Sequence, residues 1–439
     1  MLKIKLTALV FLAFGGCVAS WAQETLSLEN AVARALQNNF DIRIAEASVE
    51  IAANNNSWGQ TSALPSIALS AGFNATINDQ SQNPTAFIQE KLEVQALNYS
   101  ANLNWVLFDG LGMFIQKRQL ELLESQSEGN ASLIIENTVQ ALTLAYYDVL
   151  MQRERLNVLT EVIALSRDLL NYVNDKRELG AGSTFEVLQF ENNVVTDSSN
   201  YLIQELAYRN ATRNLNLLMG IDPETEFALT TPLQAPTVAY SYATIWDEVK
   251  NNNTALRNQF VNSLLAQQDY KLAQSAMFPV VSFSAGITEN ANQFRVRSLD
   301  LAAEGATLNY FGNFALNFNL FNGGRTRRAM QNARIREEVA QLQQNELELQ
   351  VQSDLRNALD LYTAQLAIYQ LTDGNVGRQR LALDIAADRF ANGLITSFDY
   401  RQQQVAFLNA EMARIQALQN LLNTHTQLVR LRGGLVSGR

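Results

Sequence analysis

Four segments of the chain alternate apolar and polar side chains at every second position. They lie at about 66–77, 98–107, 281–288 and 313–320. This alternation is typical of strands with one buried face, and the segments approach the roughly 9–11 residues that a tilted strand needs to cross a bilayer. We expect one face to meet lipid, through Leu69, Phe73, Leu103, Trp105, Phe283 and Phe318, and the other a wet lumen, through Asn102, Asn104, Ser284 and Asn317.

Between the strand pairs the hydrophobic period becomes helical. A first helix is predicted over about 29–62, and very long helices over 111–174 and 324–392, with kinks or interruptions at Gly129 and 372–374. At about 1.5 Å per residue the long helices span roughly 90 and 100 Å. Returning helices follow at 185–219 and 398–432. Their apolar positions recur every seventh residue, as in coiled coils: Val187, Val194, Tyr201, Tyr208 and Leu215, then Leu408, Ile415, Leu422 and Val429.

The chain contains an internal duplication. Residues 64–72, 107–110, 180–187 and 219–220 return in the same order at 278–286, 320–323, 393–400 and 432–433. Repeats of this kind define the architecture. We therefore predict a first structural repeat at 23–220, a linker at 221–242 and a second repeat at 243–439.

The N-terminus has the pattern of an export signal. Lys3 and Lys5 precede an apolar stretch at 6–18, and small residues at positions 20 and 22 suit cleavage after residue 22. The prediction is a signal peptide at 1–22. The alternative is a lipoprotein signal in which Cys17, the single cysteine, becomes a lipid anchor.

Charge and composition narrow the function. The formal net charge of −10 argues against a nucleic-acid partner. The single histidine, His425, has no evident second ligand, and we predict neither a metal nor another cofactor. A basic cluster follows the fourth strand and has two interpretations, a solvated helix face or a lipid-headgroup contact: Arg325, Arg327, Arg328, Arg334 and Arg336.

The strands themselves allow a soluble sandwich or a membrane wall. Uncharged polar faces favour the membrane, as do aromatic residues placed to form a girdle: Tyr99, Trp105, Phe108, Tyr310 and Phe311. Four strands cannot close a barrel, and an open edge cannot face lipid. Two copies would supply eight strands and three would supply twelve, and the pattern does not choose between them.

The chain resembles the TolC-like outer membrane factors. The resemblance rests on residues 26–42, on Pro65 and Pro279 before strands, and on the Leu-Phe-Asp/Asn-Gly motifs that follow strands at 107–110 and 320–323. The order and spacing of these motifs along the chain also match the family. Phe40 and 254–255 depart from the family pattern. The resemblance implies a mixed α+β membrane protein, a homotrimer whose twelve-stranded barrel continues as an α-helical coiled-coil barrel. It also implies passive conduction across the outer membrane, with a periplasmic adaptor and an inner-membrane pump as partners.

The resemblance also suggests site residues at the far ends of the helical hairpins. The adaptor-docking candidates are Gly180, Gly182, Gly393, Leu394 and Ile395, and the candidates for the periplasmic aperture are Asp399, Gln402 and Glu186. The acids have an alternative role, because 183–186 and 396–399 both have the pattern of a capping box.

Two other classes of function compete with a channel. A periplasmic coiled-coil scaffold would explain the long helices but not the membrane-length strands. An enzyme such as a glycan hydrolase would need paired acids in a cleft, and no such pair stands out.

Overall fold

The computed structural model describes residues 24–435. The predicted signal peptide at 1–22 and Cys17 lie outside the described residues. Two short strands, β1 (Glu24–Leu26) and β4 (Phe227–Leu229), pair in parallel. The other elements follow one order twice: two helices, two strands, a long helix and a returning helix.

The first set comprises α1 (Leu28–Asn38), α2 (Phe40–Asn55), β2 (Ser66–Asp79), β3 (Lys91–Phe108), α3 (Gly112–Glu178) and α4 (Thr184–Met219). The second set comprises α5 (Tyr242–Asn252), α6 (Thr254–Ser275), β5 (Val280–Val296), β6 (Leu301–Asn317), α7 (Arg325–Ala391) and α8 (Ser397–Leu431).

The two long helices agree with the prediction. Each contains 67 residues, which corresponds to about 100 Å. Neither breaks at Gly129 or Gly374, so the predicted interruptions are wrong. Gly129 instead allows α6 to approach α3, because a Cβ there would lie 2.6 Å from the side-chain oxygen of Asn258. Within residues 24–435, no helix combines the length and the apolar character needed to cross a bilayer.

The predicted first helix is divided in two. Asn39 is buried between α1 and α2, and its side-chain oxygen accepts hydrogen bonds from the backbone N–H groups of Asp41 and Ile42. Its amide donates to the carbonyl of Leu218, at 2.9 Å. The second set repeats this device, since Asn253 caps α6 and donates to the carbonyl of Leu431 at 3.0 Å. Each asparagine therefore ties a helical bend to the end of a returning helix.

The four long strands form one antiparallel sheet in the order β2-β3-β5-β6. They are longer than predicted, and the connections between paired strands are shorter, at 80–90 and 297–300. The strands extend past the predicted segments because the pairing continues beyond the stretch of clean alternation.

The segment at 221–242 does more than link the two sets. Phe227 and Leu229 are buried in a core with Leu26, Leu142 and Tyr146. The hydroxyl of Tyr146 donates to the carbonyl of Leu26 at 2.8 Å. The linker thus contributes a strand to the core beside α3.

Candidate functional site

The sheet has one apolar and one polar face, as predicted. Leu103 lies opposite Ile67 and Ala285, and Trp105 lies opposite Phe283. Residues paired in this way share a face. The apolar face therefore includes Ile67, Leu69, Phe73, Leu97, Tyr99, Leu103, Trp105, Phe283, Ile287, Leu308, Tyr310 and Phe314.

The polar face carries no charged residue along any of the four strands. Asn104 lies opposite Ser66 and Ser284, and Ser284 lies opposite Asn313. Every charged residue of these strands is on the apolar face, mostly toward the ends joined by 80–90 and 297–300: Asp79, Lys91, Glu93, Glu289, Arg295 and Glu304. The polar face is thus uncharged, and a hydrogen bond of 2.7 Å joins the hydroxyls of Ser70 and Ser100 on it.

Three aromatic or apolar placements differ from the prediction. Phe311 pairs with Gly286 and lies on the polar face, not in the girdle with Tyr310. A register shift between Val106 and Phe108 sets Phe108, instead of Leu107, opposite Val281. Phe318 falls just beyond the end of β6. The alternation alone did not reveal where the pairing shifts or ends.

Both hairpins of long helices turn through a left-handed glycine. Gly180 has φ +75° and Gly393 has φ +70°, a conformation that side chains disfavour. After each glycine the next N–H bonds back into the preceding helix, from Ala181 to the Lys176 carbonyl at 2.9 Å and from Leu394 to the Arg389 carbonyl at 2.8 Å. These bonds close the helix ends in the manner of a Schellman motif.

The remaining tip candidates differ in exposure. A Cβ on Gly182 would lie 2.9 Å from the Arg177 backbone nitrogen, so this glycine allows a tight turn. Leu394 is exposed, whereas Ile395 packs, as Phe390 does, against a buried cluster that includes Tyr400. Phe390 and Tyr400 stack with ring centroids 5.1 Å apart.

Asp399 completes a capping box at the start of α8. Its carboxylate accepts hydrogen bonds from the N–H (3.1 Å) and hydroxyl (2.8 Å) of Thr396, whose hydroxyl accepts from the Asp399 N–H. These bonds, the side-chain bond first, lower the pKa of the Asp399 carboxyl. The carboxylate is therefore ionised at neutral pH. Asp399 and Gln402 are both exposed on the first turns of α8.

Glu186 does not form the capping box predicted for it. Ser183 accepts from the Glu186 N–H at 3.2 Å, but the Glu186 carboxylate accepts from the hydroxyl of Ser397 in α8. The first-copy acid thus connects the two hairpin tips, while only the second-copy acid closes its own cap.

A buried polar network beside the tips was not predicted from the sequence. The Arg401 guanidinium donates to Asp197 in α4 at 2.8 Å and to the hydroxyl of Ser166 in α3 at 2.7 Å. Ser166 also donates to Asp197 at 2.6 Å. The side chains of Arg401 and Asp197 are only 14% and 4% exposed. Arg401 lies between Asp399 and Gln402, so this network fixes the turn of α8 that carries both aperture candidates.

His425 lies in the helical part, away from the tips. Its ring packs against Tyr240 and Tyr362, with centroid distances of 6.1 Å to each. Burial and, to a lesser degree, the charge of Arg432 lower the pKa of this imidazole. Among residues 24–435, no group of three or more histidine, cysteine or acidic residues is arranged to hold a metal.

Sequence comparison connects these features to a family. Residues 31–221 and 245–434 match the family model described as outer membrane efflux protein. The chain belongs to the outer membrane efflux protein family. The resemblance to TolC-like outer membrane factors is confirmed, and the two matched segments each contain one run of strands, long helix and returning helix.

Individual relatives agree with this assignment. The chain is 23% identical to the outer membrane efflux protein BepC of Brucella suis biovar 1 (strain 1330), covering 94% of this chain and 86% of BepC. Its fold matches the Campylobacter jejuni CmeC outer membrane channel with a TM-score of 0.72, at 19% identity over 99% of this chain and 94% of CmeC. The outer membrane protein VceC from Vibrio cholerae also gives a TM-score of 0.72, at 16% identity over 93% of this chain and 96% of VceC.

Membership of the outer membrane efflux protein family gives the location and the general role. The family model is described as outer membrane efflux protein, and CmeC is an outer membrane channel. The protein is accordingly an outer membrane efflux protein.

Proposed function

We propose that three copies of this chain form the outer-membrane channel of a tripartite efflux or type I secretion system. The sheets of the three copies close a twelve-stranded barrel, and their long helices continue it as a tunnel into the periplasm. Substrate passes by passive conduction, and the inner-membrane pump supplies the energy. Each copy contributes two repeats, 23–220 and 243–439, joined by the linker at 221–242, after removal of the signal peptide at 1–22.

The observation that carries this proposal is the asymmetry of the sheet. One face is apolar from the level of Trp105 in β3 to the level of Phe73 in β2, and the other face is polar but uncharged. Such faces suit lipid on one side and a water-filled lumen on the other. Among residues 24–435 of one chain, β2 pairs only with β3, and β6 only with β5. These open edges require neighbouring copies, because unpaired backbone groups cannot face lipid. Eight or twelve strands would close the sheet, and the family resemblance selects twelve.

The helical part supplies a second reason for association. Ile335, Leu342 and Leu349 of α7 are spaced by seven and all exposed in the single chain. Sevenfold spacing of apolar residues is typical of a seam that packs against another helix. We assign this seam to the contact between protomers.

The hairpin tips provide the periplasmic end of the proposed channel. The adaptor is proposed to dock on the turns at 180–184 and 393–397, where Leu394 offers an exposed apolar side chain beside left-handed glycines. In threefold symmetry the exposed carboxylates of Asp399 would form one ring at a constriction, attracting cations and repelling anions. Gln402 would add a neutral ring one turn further along α8, and Glu186 would act indirectly through Ser397.

Native mass spectrometry of the detergent-solubilised protein tests the proposed assembly. We expect three copies. Leu342→Asp should weaken the trimer because it buries a carboxylate in the seam, whereas Gln341→Asp, at the adjacent exposed position, should leave the trimer intact. A stable monomer for the parent protein, or a protein that fractionates away from the outer membrane, would contradict the proposal and favour a periplasmic scaffold.

Asp399→Asn tests the proposed aperture. An asparagine side chain can still accept hydrogen bonds at a helix cap, so the trimer should remain stable. The change removes three charges from one ring, and single-channel recordings should show weaker cation selectivity and weaker block by multivalent cations. Glu186→Gln should have a smaller effect. Unchanged selectivity and block in intact Asp399→Asn trimers would leave Asp399 as a cap only.

A further inference from the structure

The first turn of α7 carries three arginines that the proposed channel does not use. Arg325, Arg327 and Arg328, here called the arginine cluster, are all exposed. None of them forms an ion pair or a side-chain hydrogen bond with any of residues 24–435. The sequence contains no acid between Glu304 and Glu337. The cluster is therefore a local concentration of positive charge with no ion-pair partner among residues 24–435.

Helix stability does not explain this charge. Cations at a helix N-terminus oppose the helix dipole and are usually unfavourable there, and the first turn of α7 contains no acid. The equivalent turn of α3 is apolar, with Met113, Phe114 and Ile115. The nearest cations in α3, Lys117 and Arg118, both pair with Glu121, at 3.2 and 2.8 Å. Only the second copy presents unneutralised charge at this position.

The arginine cluster lies beside a belt of exposed apolar residues. The Arg334 guanidinium lies 5.7 Å from the ring centre of Tyr270 in α6, which fixes the relative height of α6 and α7. The cluster precedes Arg334 by six to nine residues, which places it about 9–14 Å closer to the sheet. From Tyr270, α6 runs toward the sheet over a similar distance and is followed by the exposed Met277 and Phe278, just before β5. Leu320 and Phe321, between β6 and α7, are 85% and 84% exposed.

We propose that the arginine cluster binds the phosphate of an anionic glycerophospholipid at the membrane surface from which the long helices emerge. This inference rests on the proposed function, because that function puts the sheet in the bilayer. Guanidinium groups bind phosphate through paired hydrogen bonds. The belt adjoins the start of β5 and the end of β6, and it would lie against the upper acyl chains and headgroups, where aromatic residues concentrate. The charge and the apolar surface thus match the two parts of one lipid molecule.

Lipid titration followed by native mass spectrometry tests this proposal on the intact trimer. The probes are dioleoylphosphatidylglycerol, dioleoylphosphatidylcholine and soluble glycerol phosphate. The test variant is Arg327→Gln/Arg328→Gln, and the matched control is Lys117→Gln/Arg118→Gln, which removes the same charge from α3. The parent and control should bind phosphatidylglycerol more tightly than phosphatidylcholine. The test variant should bind phosphatidylglycerol roughly 25-fold more weakly, since each of the two basic residues near a membrane contributes about a fivefold gain in affinity.

Several results would overturn the lipid site. The first is equal affinity of the parent protein for both lipids, and the second is an equal loss of phosphatidylglycerol affinity in the test and control variants. The third is binding of glycerol phosphate as tight as that of the lipid, which would mean a site for soluble anions. Loss of the trimer in the test variant would instead assign the arginines to a contact between protomers. Channel conductance separates this inference from the proposed function: the test variant should conduct like the parent, so a failed lipid site leaves the channel standing.

Discussion

Leu103→Arg is expected to destabilise the membrane-inserted trimer by about 2–4 kcal/mol per chain, the range for an arginine on the lipid face of a barrel near the bilayer midplane. Leu103 lies between Ile67 and Ala285, near the middle of the apolar band. A guanidinium there would have to leave water without a counter-charge. Urea unfolding of vesicle-reconstituted protein, followed by tryptophan fluorescence, measures the difference.

Asn104→Arg is the matched control for this change. Asn104 is the next residue of β3 and lies on the opposite face, between Ser66 and Ser284. A charge on that face should remain hydrated in the lumen, so the stability should change little. Equal losses in the two variants would refute the assignment of the faces.

Arg401→Met is expected to have the largest effect in the helical part. It leaves the Asp197 carboxylate, which is 4% exposed, without its cationic partner, and breaking a buried pair in this way typically costs about 3–5 kcal/mol. Because α3, α4 and α8 meet at this network, the loss should appear as local opening of the hairpin tips. Amide hydrogen exchange over 184–198 and 397–407 should accelerate by a hundredfold or more, as each 1.4 kcal/mol corresponds to about tenfold.

Two variants decide whether this effect belongs to the buried network. Arg378→Met removes an exposed arginine of α7 and should leave exchange at the tips unchanged. Adding Asp197→Asn to Arg401→Met should recover part of the loss, because the neutral amide can still accept from Ser166. Unaltered exchange in the single Arg401 variant would show that apolar packing alone holds the tips.

The sequence predicted the elements whose pattern is local. The long helices end within a few residues of their predicted ends because Gly180 and Gly393 adopt a left-handed conformation that ends a helix. The strand faces followed from simple alternation. The strand lengths were underestimated because polar residues such as Gln95 and Gln293 interrupt the apolar face while the backbone pairing continues.

The parts that the sequence did not reveal depend on distant contacts. The bend at Asn39 requires the carbonyl of Leu218, which lies 179 residues away. The partners of Arg401 are on two other helices, so no spacing along α8 could indicate them. Glu186 has the capping-box pattern, yet it bonds to Ser397 because the two tips lie side by side. Tertiary packing decided each of these arrangements.

Single-channel recording of the purified, reconstituted protein in a planar lipid bilayer tests the central claim most directly. If three chains close a water-filled passage, the recordings should show discrete conductance steps, and Asp399→Asn should alter their ion selectivity without abolishing them. Bilayers that receive intact, membrane-inserted trimers and yet show no conductance steps above the lipid background would contradict the account of this protein as a channel.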